Sequence, residues 1–149
     1  MASRLSLKAR ALRFLSQREY SRHELHRKLA IHASSATELA DVLDTVQARG
    51  WLCDARFASE IAARLGVRYG VRRIQHELKR HALTFDDTSA PIDALKQTER
   101  DRATVVWRKK FGAAPIDASE RARQYRFLMQ RGFGAETIAD VLNHETADR

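Results

Sequence analysis

Cationic side chains gather in three groups along this chain: Arg22, Arg27 and Lys28; Arg68, Arg72, Arg73, Lys79 and Arg80; and Arg108, Lys109, Lys110, Arg123 and Arg126. Arginine and lysine grouped in this way pair with phosphates and release their counterions, so the chemistry on offer is salt-sensitive binding rather than bond-making. The whole chain of 149 residues points the same way, with 27 Lys and Arg against 19 Asp and Glu and a net charge of +8. An excess of that size calls for an acidic partner, either nucleic acid or a nucleoprotein.

Other residue types could in principle do chemistry, and each has a plainer explanation. No Gly-x-x-x-x-Gly-Lys-Ser/Thr loop is present, so the chain has no evident means of hydrolysing nucleotide. His23 and His26 share a helix face, but a metal wants further ligands and Cys53 is the only thiol, so a solvated pair on a basic helix is expected. One cysteine excludes an internal disulfide. Asp86 and Asp87 are adjacent in a polar stretch, where they cap a helix more plausibly than they act as an acid/base pair. Trp107 could stack on a base, yet its spacing with Ala103 and Val106 favours the core. The sequence therefore predicts a protein that is not an enzyme and needs no metal or cofactor. No apolar run approaches the ~20 residues that span a bilayer, and Met1–Leu5 lacks a signal-peptide apolar region. A cytoplasmic protein with no membrane partner is expected.

The elements that must position the cations are helices. Gly and Pro are few, Ala, Leu, Arg and Glu are many, and no stretch alternates apolar with polar residues. Ser21–Glu24 and Ser35–Glu38 read as capping boxes that open helices, and Gly50 reads as a left-handed helix stop. Asp54 is placed to cap the helix that carries Phe57, Ile61 and Leu65, and a second helix carries Val71, Ile74 and Leu78. Pro91 fits the first turn of a short helix bearing Ala94 and Leu95, and a separate helix is expected from about Glu99 to Phe111. Asp117 or Ser119 caps the next, Arg131-Gly132-Phe133 ends it, and a last helix carries Ile138, Val141 and Leu142.

Two near-identical pentapeptides, Leu39-Ala40-Asp41-Val42-Leu43 and Ile138-Ala139-Asp140-Val141-Leu142, each follow a helix leucine (Leu29, Leu128) at the same offset. Three tandem three-helix modules follow, over residues 1–50, 51–96 and 97–149, in an all-α fold. Modules this small cannot each bury a complete core, so they are expected to stack into an elongated, curved array. Charge keeps the same period: residues 1–33, 55–85 and 102–131 carry net +6, +5 and +6, and each block is followed by one of net −3. If the modules stack in like orientation, their positive sides form one stripe.

Trp51-Leu52-Cys53-Asp54-Ala55-Arg56-Phe57-Ala58, Tyr69-Gly70 followed by Arg73-Ile74 and Glu77-Leu78, and Arg131-Gly132-Phe133 resemble signature positions of the RecX recombination regulators, and the likeness runs from about Ala9 to Asn143. Asp54, Phe57, Gly70, Ile74, Leu78, Gly132 and Phe133 are the structural repeat positions on this reading. The chain departs from the pattern at His81-Ala82-Leu83, which replaces a Gly-containing helix end, and at Cys53, where a polar residue is common. The resemblance implies a bacterial cytoplasmic protein that binds the RecA recombinase and its filament on single-stranded DNA, in the filament groove, and restrains filament extension, strand exchange and ATP hydrolysis. Free single- or double-stranded DNA is a further candidate partner. The competing reading is a helix-turn-helix-like DNA-binding protein acting as a transcription or nucleoid factor. Against it, no module gathers Asn, Gln and Arg at one helix start for reading bases.

Overall fold

The computed structural model describes residues 4–147. Among the described residues the fold is all-helical, with eight helices: α1 (Leu7–Gln17), α2 (Arg22–Ala30), α3 (Ala36–Ala48), α4 (Asp54–Gly66), α5 (Val71–Lys79), α6 (Phe85–Lys110), α7 (Ala118–Gln130) and α8 (Ala135–Ala147). Short side-chain oxygens start many of them. Ser6, Ser21, Ser35 and Asp117 each accept a hydrogen bond from the amide three residues on, which satisfies one of the free N–H groups of a first turn. In the second box Glu38 reaches back to the amide of Ser34 at 2.7 Å. In the first, Glu24 is held instead by Arg18.

One helix is longer than its sequence suggests. Where the pattern implies a short helix at Pro91 and another from Glu99, α6 runs unbroken through both. The polar stretch before Pro91 is a cap and a first turn: the amide of Asp87 donates to Thr84 Oγ1 (3.3 Å), and the amide of Thr84 donates to Asp87 Oδ2 (3.0 Å). Pro91 therefore lies beyond the first turn, at the cost of one intrahelical hydrogen bond. Buried Ile92, Leu95, Ala103, Val106 and Trp107 keep helical spacing throughout, and no Gly or Pro falls between Leu95 and Glu99 to end the helix.

The chain packs as two compact units, one holding the chain up to Glu60 with Arg80–Thr88, the other holding Ile61–Lys79 and the chain from Ser89 onward. The first has a core that includes Leu7, Ala11, Leu25, Leu29, Leu39, Leu43 and Val46. In the second, Ala103, Trp107, Leu128, Phe133, Ile138 and Leu142 pack together. Trp107 is a core residue, and its buried indole N–H donates to the equally buried Gln124 Oε1 at 2.7 Å. Leaving that donor unpaired inside the core would cost about 1–3 kcal/mol.

Candidate polyanion-binding surface

The cations of the second unit are positioned by a close backbone joint at the start of α5. The amide of Gly70 donates to the Arg131 carbonyl (2.9 Å), and the amide of Arg72 donates to the Gly132 carbonyl (3.2 Å). A Cβ added at Gly70 would lie 2.3 Å from that Gly132 oxygen, and one at Gly132 would lie 2.4 Å from Arg73 Cβ. Gly132 also holds φ +89°, a left-handed conformation that glycine adopts without penalty. Only hydrogen fits at either position.

Two further side chains lock the same joint. Glu99 on α6 accepts from the amide of Val71 (3.1 Å) through one carboxylate oxygen and from the Thr137 hydroxyl (2.9 Å) through the other. An acidic group suits the positive end of α5. Arg102 donates to the carbonyls of Gly66 (2.9 Å), Tyr69 (2.7 Å) and Leu95 (2.8 Å), which closes the end of α4 and fixes the approach to α5. Burial lowers the pKa of the Arg102 guanidinium, and nearby Glu99 works against that shift.

A related joint is found in the first unit, at the start of α2. Ser21 Oγ accepts from the amide of Glu24 and lies 2.8 Å from His81 Nδ1, while the ring of His81 rests 4.6 Å from that of Phe57. Asp54 does not cap its own helix as the sequence suggests. It is the first residue within α4, and its Oδ1 accepts from the amide of Arg22 (2.7 Å), capping α2 instead. Burial raises the pKa of Asp54, opposed by that hydrogen bond. Phe57, Ile74, Leu78 and Phe133 are buried.

The candidate cations separate according to what holds them. Arg22 is half-buried and committed within its unit, to Asp44 (2.7 Å) and Gln47 (2.5 Å). Arg27 and Lys28 are exposed in the last turn of α2, and Arg80 is exposed in the turn after α5. In the second unit, Arg68 follows α4, Arg72, Arg73 and Lys79 lie on α5, Arg123 and Arg126 lie on α7, and all are exposed. Arg108, Lys109 and Lys110 end α6, with Arg108 at 3.5 Å from Glu145.

Aromatic rings draw several of these together. The Arg73 guanidinium lies 3.9 Å from the Tyr69 ring centroid. Arg131 lies 5.5 Å from the same ring and 5.2 Å from that of Phe127. Lys110 approaches Phe127 (5.6 Å) and Arg123 approaches Phe111 (5.5 Å), and the two phenyl rings meet edge-on at 5.3 Å. Sequence reasoning passed over Arg131 as part of a helix end. Its visible signal was its place in the Arg131-Gly132-Phe133 signature, next to the glycine that the joint needs.

Among the described residues no group of three His, Cys, Asp or Glu could hold a metal ion, and no helix is long and apolar enough to cross a membrane. Two family models match the chain: the RecX first three-helix domain over residues 8–44 and the RecX third three-helix domain over residues 97–142. The chain is similar to the regulatory protein RecX of Leptothrix cholodnii, at 49% identity over 93% of this chain and 88% of that protein. It is 45% identical to that of Ralstonia nicotianae, over 93% and 87% of the two chains. Its fold matches the crystal structure of RecX from Lactobacillus salivarius with a TM-score of 0.81, at 12% identity and 95% coverage of both chains. With identity of that order to curated relatives along nearly its whole length, this chain belongs to the RecX family.

Proposed function

We propose that this chain is a non-enzymatic, cytoplasmic regulator that binds the RecA filament on DNA through its basic face, in the helical groove, and restrains filament extension, strand exchange and ATP hydrolysis. Membership of a family whose relatives are named regulatory proteins supports the regulatory part. The observation that carries the binding part is the set of exposed cations on α5, α6 and α7, of which those on α5 start from the Gly70–Gly132 joint with the end of α7. On this reading residues 1–50, 51–96 and 97–149 act as three modules that offer positive charge to phosphates and acidic protein surface along the groove. Restraint requires differential binding, because a ligand with equal affinity for every filament state shifts none of them.

The test is RecA-dependent ATP hydrolysis on single-stranded DNA with this chain added below the RecA concentration. The wild-type chain suppresses hydrolysis, and the effect fades steeply as salt rises. Arg72→Glu with Arg73→Glu abolishes the suppression. Unchanged suppression by that double variant rejects the assigned face. A strong preference for one duplex among many unrelated sequences, with no effect on RecA, favours a transcription or nucleoid factor instead.

A further inference from the structure

The starts of α2 and α5 share a sequence frame, Tyr20-Ser21-Arg22-His23-Glu24-Leu25 and Tyr69-Gly70-Val71-Arg72-Arg73-Ile74, with the tyrosine just before the helix and Leu25 and Ile74 in matching buried places. In both, an arginine lies against the tyrosine ring: Arg18 at 3.7 Å from Tyr20, and Arg73 at 3.9 Å from Tyr69. The frames differ in charge at three positions, Arg22 for Val71, His23 for Arg72 and Glu24 for Arg73, and the last of these sets the charge beside the ring. Four residues after Tyr20 stands Glu24, which pairs with Arg18 and cancels it. Four residues after Tyr69 stands Arg73 itself, and the second cation near that ring is Arg131. A carboxylate orders a guanidinium by neutralising it, whereas a ring face orders it and leaves its charge and N–H edges available.

We infer that the Tyr69–Phe127 array of the second unit, with Arg73, Arg131 and Lys110 as its cations, is a preorganised clamp for the phosphodiester backbone of nucleic acid, and that the related Tyr20 site has been switched off by Glu24. This deepens the proposed function by locating the phosphate contacts of the basic face, and it adds Arg131 to them. Phosphate is favoured over protein carboxylate because a guanidinium with one face on a ring keeps its other face for stacking on a base while its N–H edge meets a phosphate. The first unit's exposed Arg27 and Lys28 have no ring contact of this kind, so equal charge there binds less well.

The test is fluorescence anisotropy of a labelled oligo-dT strand of about 30 nucleotides with the full-length chain across a salt series. Arg73→Glu, which copies the Tyr20 arrangement, raises Kd more than tenfold. The charge-matched Arg27→Glu raises it less than threefold. Arg131→Gln flattens the salt slope by about 0.7, the share of one single-strand phosphate contact. Tyr69→Leu leaves net charge alone and still weakens binding several-fold. Glu24→Arg, which builds the array in the first unit, tightens binding. Circular dichroism melts confirm that each variant is folded, and should Tyr69→Leu fail that check, Arg131→Gln and Glu24→Arg carry the test. Equal losses for Arg73→Glu and Arg27→Glu would overturn the clamp, because net charge alone would then explain binding. The same variants are scored for suppression of RecA ATP hydrolysis. If Arg73→Glu and Arg131→Gln lose suppression with oligo-dT affinity intact, the phosphate assignment falls and the regulatory reading stands. Reduced oligo-dT affinity, with RecA unaffected by wild type and variants alike, supports the clamp and sinks the regulatory reading.

Discussion

The starts of α2 and α5 solve one problem with opposite means. Each second-helix start needs acceptors for its free amides, and each takes one from a carboxylate on a later helix: Asp54 of α4 for Arg22, and Glu99 of α6 for Val71. Each also meets the turn that follows another helix, at His81 after α5 and at Arg131–Gly132 after α7. At α2 the contact is made by side chains, Ser21 with His81 and His81 with Phe57. At α5 it is made by bare backbone, with Gly70 against Gly132. The first joint can yield, because side chains rotate. The second has no slack, and the cations beside it inherit that rigidity.

Exchanging the two residues breaks the comparison most severely. Gly70→Ser forces a Cβ to within 2.3 Å of a carbonyl oxygen, so the two backbone hydrogen bonds of the joint must separate. A loss of about 3 kcal/mol or more is expected, read as a fall in the urea midpoint. Ser21→Gly loses a cap, at a few tenths of a kcal/mol, and the His81 hydrogen bond, for about 1 kcal/mol in all, while clashing with nothing. Similar costs for the two would mean that the second joint is as pliable as the first.

Much of the local design was legible in the sequence, and the joints were not. Ser21, Ser35 and Asp117 announced helix starts because a cap and its amide are three residues apart. Trp107 announced a core position because its helix repeats. Ser21 and His81 are separated by 60 residues, and no periodicity links them. Asp54 was read as a local cap for the same reason: a carboxylate at a helix start looks alike whether it serves its own amides or those of α2. The cation array was half legible. Arg73 and Lys110 stood among the candidate cations and Arg131 did not, and nothing in the spacing of Tyr20, Tyr69 or Phe127 distinguishes a held charge from a cancelled one.

The two carboxylates sharpen the comparison with an intermediate effect. Glu99 bonds through both oxygens, so Glu99→Ala strands an amide and a hydroxyl and costs about 2 kcal/mol. Asp54→Asn keeps an acceptor for the Arg22 amide and costs less than about 1 kcal/mol at neutral pH, solvent screening included. Its signature is the pH dependence. The folded pKa of Asp54 is raised, so the folded chain binds the proton more tightly than the unfolded chain does. The stability this contributes is complete below the ordinary carboxylate pKa and is lost as pH rises through the raised folded value. Urea midpoints from about pH 3.5 to 7 should therefore show wild type losing ground to Asp54→Asn as pH rises. A gap that widens in the opposite direction would mean that the charged carboxylate, and not its burial, dominates at α2.

The smallest expected effect concerns the turns that meet the two helix starts. Gly132 holds φ +89° after α7, but the turn after α5 places Ala82 at φ 52°, the one non-glycine with positive φ among the described residues. A left-handed alanine costs roughly 1–2 kcal/mol, because its Cβ crowds the following carbonyl. Ala82→Gly removes that strain and returns part of the gain as added freedom of the unfolded chain, about 0.4–1 kcal/mol. The balance is a stabilisation of about 0.5 kcal/mol, a rise in melting temperature on the order of 1–2 °C. The reverse exchange, Gly132→Ala, combines the same strain with a 2.4 Å contact to Arg73 Cβ and must destabilise. If Ala82→Gly lowers the melting temperature instead, the alanine turn is held by its neighbours without strain. The first joint would then be no softer at this edge than the second.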